Sequence, residues 1–345
     1  MQRRIAILFA AVMLLATSAS ALVGDPLKLV ATSASALVGD PLKLVATSAS
    51  ALVREPLKLV ATIPDLADIA QAIGGERVSI TTLCKGTENT HFVTAKPSHL
   101  VAMSRADALV EIGLSLEMAF VPGLLEQCRN DRLQPGKPGL INTSEGWKAL
   151  DVPVVLDRKQ GDVHPQGNPH MNLAPSGGRQ MAERIFAGLC ALDPSGKPEY
   201  QKRYDAWLAE LAEAEKRWSA LGAAWKGRKV VLYHKEFDYL AAEYGIDVLG
   251  SVEPKPGIAP TPGHIADLVE RMRREKDVVL ITAVWSNNKE VREIAERTGA
   301  RVVELPNMCR GVPGTDTWIR MMDLVHQRID AAFRPATPKE AKSGG

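Results

Sequence analysis

The sequence predicts an α/β protein built as two lobes of parallel sheet joined by one long helix. Short apolar runs alternate with helical stretches from about residue 57 to 332, the grammar of strands paired in parallel through crossover helices. That alternation occurs twice. Between the two halves, residues 198–221 keep an unbroken helical period, with Tyr204, Leu208, Leu211 and Trp218 on one stripe and mixed charges between them. At 1.5 Å per residue this stretch is about 36 Å long, enough to run from one lobe to the other; the alternative is an ordinary surface helix. The expected partition is a first lobe over 54–197, a linking helix over 198–224 and a second lobe over 225–335, with a polar, disordered tail at 336–345.

The chain starts with a secretory pattern. Arg3 and Arg4 precede an apolar run at 5–15, followed by small residues ending in Ser18-Ala19-Ser20-Ala21. Eleven apolar residues are too few to span a bilayer, so residues 1–21 are expected to be a cleaved signal peptide rather than a membrane anchor. A fifteen-residue unit at 16–30 then recurs at 31–45 and again at 46–60, where Arg54-Glu55 replaces Gly-Asp. The period is too short for a helical solenoid. Only the third copy runs on into a helical pattern, so 57–62 is expected to be the first strand and 22–53 a dispensable duplication.

Each later element has a local reason. The helix over 63–75 has a proline near its start and a glycine stop at Gly74-Gly75. A strand at 78–83 leads to a polar loop at 85–95, then a helix at 97–105, a strand at 108–112 ending in Gly113, and a helix at 116–128. A Pro/Gly-rich turn at 134–139 separates these from short β-like pieces near Leu140 and at 152–156. The stretch His164-Pro-Gln-Gly-Asn-Pro-His170-Met-Asn-Leu-Ala-Pro175 reads as a shaped turn, since proline fixes φ and glycine frees it. A helix at 176–192 follows. In the second half, strands are expected at 229–233, 248–251, 278–283 and 302–305, and helices at 237–244, 265–276, 289–298 and 318–332.

Composition narrows the function. The net charge of +2 and scattered basic residues argue against a nucleic-acid footprint. Cys84, Cys128, Cys190 and Cys309 lie far apart with no Cys-x-x-Cys pair, which speaks against a zinc knuckle or thioredoxin-type motif, while their pairing as disulfides stays open.

Histidines carry the chemistry. His91 follows the strand ending near Leu83, His234 stands at the carboxyl end of the strand 229–233, and Asp316 lies in the loop after 302–305. Ligands of open α/β sheets gather outside the carboxyl ends of strands. His170 sits on the proline-shaped turn, placed either to coordinate an ion or as a solvated loop residue. Three imidazoles and a carboxylate would complete a four-coordinate shell for a borderline-soft divalent ion. No short ligand spacing singles these four out, because His-Glu-x-x-His and His-x-x-x-His are absent.

Several motifs taken together resemble the zinc- and manganese-binding solute-binding proteins of bacterial ABC transporters. They are Thr90-His91-Phe92 with Lys96-Pro97-Ser98, Asn168-Pro169-His170-Met171-Asn172-Leu173-Ala174-Pro175, Tyr233-His234 with Phe237-Asp238-Tyr239-Leu240, and Gly314-Thr315-Asp316-Thr317-Trp318. The resemblance covers roughly 57–332. It implies that His91, His170, His234 and Asp316 bind the metal between two lobes. It also implies a periplasmic, non-enzymatic protein that captures Zn²⁺, or alternatively Mn²⁺, and delivers it to a membrane permease. A monomer without membrane insertion after signal cleavage is expected. His164 is an accessory ligand or a solvated loop residue. His99 replaces an aspartate common in the family, and the long His-rich loop of zinc-specific members is missing. Glu253 and Glu304 lie near strand ends, where a carboxylate could orient an imidazole. His264 and His326 read as structural or solvated. Two other classes stay in view. A secreted zinc hydrolase would need an open coordination position and a general base. A binder of an organometallic chelate would need more aromatic lining than 5% aromatic residues readily supply.

Overall fold

The computed structural model describes residues 55–153, 164–255, 257–286 and 288–334. The expected signal peptide, the duplicated extension at 22–53, residues 154–156 of the β-like piece and the tail from 335 lie outside the described residues.

Among the described residues, eight strands form two four-stranded parallel sheets. In the first half these are β1 (Leu57–Ala61), β2 (Val78–Thr82), β3 (Ala108–Glu111) and β4 (Leu140–Asn142), in the order β2-β1-β3-β4. In the second they are β5 (Lys229–Leu232), β6 (Asp247–Ser251), β7 (Val279–Ala283) and β8 (Arg301–Leu305), in the order β6-β5-β7-β8. Burial follows position in the sheet. Interior β7 reads Val-Leu-Ile-Thr-Ala and is buried throughout, as a strand covered on both faces must be. Edge strand β8 alternates buried and exposed residues over Val302–Leu305.

Among the described residues, nine helices cover the sheets: α1 (Pro64–Gly74), α2 (Pro97–Ser104), α3 (Val121–Gln127), α4 (Pro175–Leu192), α5 (Lys197–Gly222), α6 (Asp238–Tyr244), α7 (Pro262–Arg274), α8 (Asn288–Thr298) and α9 (Trp318–Phe333). The linking helix α5 has 26 residues, about 39 Å at 1.5 Å each. Its buried stripe is Tyr200, Trp207, Leu211, Ala214, Trp218 and Gly222, stepping by three, four or seven residues. This stripe packs against α1 and α4 of the first half and α9 of the second. Trp218 donates from Nε1 to Asp323 Oδ1 on α9 at 2.7 Å, and its ring stacks on His326 with centroids 4.9 Å apart. His326 is fully buried, with Nδ1 2.7 Å from the Met322 carbonyl and Nε2 3.0 Å from the Tyr244 hydroxyl. Of the two readings open in the sequence it takes the structural one.

One apolar core runs through both halves. It contains Leu59 and Val110 of the first sheet, Trp207 and Trp218 of α5, Val230 and Ile281 of the second sheet, and Val325 of α9. A smaller cluster, including Val231, Leu280 and Leu268, fills the other face of the second sheet.

Helix α3 starts later than the sequence predicts. Residues 116–120 turn instead, because the buried Glu117 carboxylate accepts from the backbone N–H of Ile112 at 2.8 Å and of Gly113 at 3.2 Å, and from the Thr62 hydroxyl at 2.8 Å. Leu114 and Ser115 take φ of 52° and 66° to make that turn, and the helix proper begins beside Pro122. The β-like piece at 152–156 contributes no strand at Val152 or Pro153, the part that is described. The four cysteines are free thiols; Cys84, Cys128 and Cys309 are buried and Cys190 is half-buried. No described helix is long and apolar enough to cross a membrane.

Candidate metal centre

Three histidines from three loops meet at the carboxyl ends of the two sheets. His91 belongs to a single 3-10 turn, Thr90–Phe92, whose first N–H groups are capped by Asn89: its Oδ1 accepts from His91 N at 3.0 Å. His170 opens the turn Met171–Leu173, and its N–H donates to Asn168 Oδ1 at 3.0 Å. Asn168 in turn donates to the Lys235 carbonyl at 2.8 Å and to Asp238 Oδ2 at 3.2 Å, so the proline-shaped turn is pinned to the second half. The turn lies flat on the start of α4, where Gly177 leaves no room for a side chain: a Cβ there would meet the Met171 carbonyl oxygen at 1.7 Å. His234 follows β5 by two residues, and the Tyr233 N–H between them extends the sheet to the Ile281 carbonyl at 2.7 Å.

The imidazoles converge through their outer nitrogens. Nε2 of His170 lies 3.2 Å from Nε2 of His91 and 3.1 Å from Nε2 of His234. Candidate ligand atoms of all three residues lie within 4.8 Å of one another. All three side chains are buried, with 6%, 6% and 4% exposure for His91, His170 and His234. Three nitrogen donors this close, held by separate elements, match a divalent-ion site better than a hydrogen-bonded core, which has no use for mutually facing imidazole edges.

Electrostatics agree. Burial holds His91 and His170 well below the ordinary imidazole range, and the neighbouring histidines press in the same direction. Both are therefore neutral donors at pH 7. His234 differs. Burial again works against its charged form, but the hydrogen bond it donates to Glu253 and the charges of Glu236, Glu253 and Asp238 outweigh it and raise the pKa. Glu253 Oε2 stands 2.7 Å from His234 Nδ1. That contact places the proton on Nδ1 and turns the Nε2 lone pair toward the other two rings.

Asp316 is not brought to this cluster. Its carboxylate is 71% exposed and lies 3.9 Å from Arg320 on the next helical turn. The cause is local. The Arg310 N–H bonds the Thr315 carbonyl at 2.7 Å and the Thr315 hydroxyl bonds the Val312 carbonyl at 2.6 Å, burying Thr315. Thr317 caps α9 by accepting from Arg320 N at 3.3 Å. Between these two anchors the Asp316 side chain faces outward. Its motif partner Trp318 is structural, donating from Nε1 to the Asn172 carbonyl at 2.8 Å.

The accessory candidate does come close. His164 is 9% exposed, and its ring centroid lies 5.0 Å from that of His91. His99 is a capping residue: Nδ1 lies 3.4 Å from Lys96 N at the start of α2, in the acceptor role an aspartate would fill. His264 Nε2 stands 2.9 Å from the Ser251 carbonyl, away from the cluster. Glu304 is exposed on β8.

Two site residues escaped the sequence reading. Glu236 and Asn307 are buried beside the imidazoles. A signal for Asn307 existed: it stands two residues past the end of β8, the offset His234 has from β5, whereas Asp316 lies eleven residues beyond Leu305. The rule that ligands gather at strand carboxyl ends favours the nearer residue.

Residues 59–332 match the family described as the zinc-uptake complex component A, periplasmic. The chain belongs to this family. Among its relatives, the manganese-binding lipoprotein MntA of Halalkalibacterium halodurans is 26% identical over 264 residues, covering 74% of this chain and 82% of that protein. A putative metal-binding protein of Treponema pallidum is 22% identical over 279 residues, covering 80% of this chain and 87% of that one. The crystal structure of a ZnuA superposes with a TM-score of 0.68 at 23% identity, over 81% of this chain and all of that one. A manganese-bound mutant of the periplasmic metal-binding protein from candidatus Liberibacter asiaticus gives the same TM-score at 18% identity and the same coverage. The fold expected from the sequence, two parallel-sheet lobes and a linking helix, is the fold found.

Proposed function

We propose that the protein captures Zn²⁺ with His91, His170 and His234 in the periplasm and delivers it to the permease of an ABC transporter. One observation carries this reading: three neutral or lone-pair-directed imidazole edges, from both halves of the chain, lie within 4.8 Å of one another in a buried pocket. Zn²⁺ accepts imidazole nitrogen in a tetrahedral shell, while Mn²⁺ prefers oxygen and higher coordination. Nitrogen donors dominate here, and Mn²⁺ stands below Zn²⁺ in the general affinity order. His164, close to His91, is proposed as an accessory imidazole beside the site, outside the four ligands of the shell. The protein acts as a monomer.

Competition against a calibrated chelator at pH 7 tests the metal. Zn²⁺ is expected to bind at least about a hundredfold tighter than Mn²⁺; equal or tighter Mn²⁺ binding transfers the assignment to manganese uptake. A zinc hydrolase is the second reading, and the outward-facing Asp316 favours it, because three histidines leave a coordination position open. The depth of the site weighs against it. The adjoining cavity holds about 10 Å³, room for one water and not for an ester or peptide. The zinc-loaded protein is expected to turn over neither.

A further inference from the structure

The small cavity beside the imidazoles has a polar wall. Its lining includes His91, His170, Asn89, Glu236 and Asn307, and its volume of about 10 Å³ is that of a single water position. Asn307 is 5% exposed, and its Oδ1 is a buried acceptor without a hydrogen-bond partner among the described residues. An unmet acceptor in an interior calls for a ligand or a water, since its desolvation is otherwise uncompensated. The orientation of this amide is fixed by its other end. Nδ2 lies 3.4 Å from Glu236 Oε1, and a flipped amide would set oxygen against oxygen.

Glu236 is 3% exposed. Among the described residues, both hydrogen bonds it accepts, from Trp285 Nε1 at 2.7 Å and from Asn307 Nδ2, fall on Oε1. Oε2 is left for something else. The carboxylate itself is not among the atoms that converge within 4.8 Å of one another, so its reach to a shared ion needs an intermediary.

We propose that Glu236 and Asn307 position a water in this cavity as the fourth ligand of the bound Zn²⁺. A water has two protons to give and lone pairs to offer. It donates one hydrogen bond to Asn307 Oδ1 and the other to Glu236 Oε2, keeps both protons, and has a lone pair left for the ion. Three imidazoles then supply nitrogen and the water supplies the single oxygen of a tetrahedral shell. Glu236 adds a negative charge near an ion whose direct ligands are all neutral. Glu236 and Asn307 are positioning residues that act through the water, in the place the exposed Asp316 does not fill. The inference rests on the three-histidine reading of the site.

The test uses the whole protein, stripped of metal and titrated with Zn²⁺ and with Co²⁺ alone, the latter for its visible bands, which report coordination geometry. Glu236→Gln and Asn307→Leu are expected to weaken Zn²⁺ binding about 10- to 100-fold and to shift the Co²⁺ bands. Asn307→Gln keeps an acceptor for the water and a donor toward Glu236, and is expected to bind tighter than Asn307→Leu and to recover the native bands, which a merely structural defect would not allow. If both Glu236→Gln and Asn307→Leu keep wild-type affinity and an unchanged Co²⁺ spectrum, the positioned water is wrong. The three-histidine reading fails separately, and takes the water with it, if the unaltered protein binds neither ion or if His170→Ala binds as tightly as wild type.

Discussion

His170→Ala is the sharpest perturbation of the proposed site, because its Nε2 stands between the other two, at 3.2 Å from His91 and 3.1 Å from His234. An ion that binds only the folded protein stabilises it by RT ln(1 + [L]/Kd), about 4 kcal/mol at a thousandfold excess over Kd. For a domain of this size each kcal/mol moves the midpoint by about 2–4 °C, so zinc should raise the wild-type midpoint by about 8–16 °C. Losing the middle imidazole leaves two donors on opposite sides of a gap. If Kd weakens a thousandfold, the same zinc concentration stabilises the variant by only about 0.4 kcal/mol, a shift near 1 °C. Thermal unfolding of chelator-stripped protein, with and without zinc, measures both numbers. The metal-free midpoint of the variant is taken as its own baseline, which removes the packing cost of the missing ring. A variant that keeps the full zinc shift shows that His170 is not a ligand.

Other outcomes follow from the same geometry. Asp316→Ala should leave zinc affinity unchanged and stability within about 0.5 kcal/mol, as expected for an exposed side chain; a large loss of affinity in a chelator competition would put its carboxylate back in the shell. Glu253→Ala should weaken zinc about 10- to 100-fold by freeing the His234 ring, and calorimetric titration showing native affinity would contradict the orienting role of its 2.7 Å contact. His326 predicts a pH effect. Burial holds it down to about 4, against 6.5 in the unfolded chain. The unfolded state therefore takes up a proton that the folded state refuses, and stability is lost as pH falls from 6.5 toward 4, by about 3 kcal/mol in all. His326→Leu should flatten that part of the metal-free stability profile, and an equally steep profile in the variant would assign the slope elsewhere.

Much of this fold was legible because local and tertiary demands coincide. The buried run Val279–Ala283 has no polar face to misread, and the helix before Gly245 ends where its φ of 64° suits only a glycine well. Helix α3 was misplaced at its start because Glu117 has a helix former's propensity but spends its carboxylate on the backbone of Ile112 and Gly113, a tertiary contact no period announces. At the site, His91, His170 and His234 stood out as rare residues at strand ends and on a rigid turn. Asp316 stood out for its place in the loop after 302–305 and in the Gly314–Trp318 motif, yet Thr315 and Thr317 anchor the backbone on either side and turn it outward. Glu236 carries no signal in the sequence; only the fold shows Trp285 reaching across to donate to its buried carboxylate.

The apolar core that runs unbroken from the first sheet through α5 to the second has a consequence for traffic. α1 reinforces it, since Asp65 accepts from Cys309 N at 2.6 Å and Asp68 from Trp318 N at 2.8 Å. Two halves so joined cannot swing apart as a clamshell does without breaking a shared interior. The loaded and empty proteins then present nearly the same outline to whatever receives the cargo, differing mainly by two units of positive charge held among buried imidazoles. An empty carrier would occupy the receiving dock almost as well as a full one, so the rate of uptake would follow the fraction of carriers filled and not merely the number that are full.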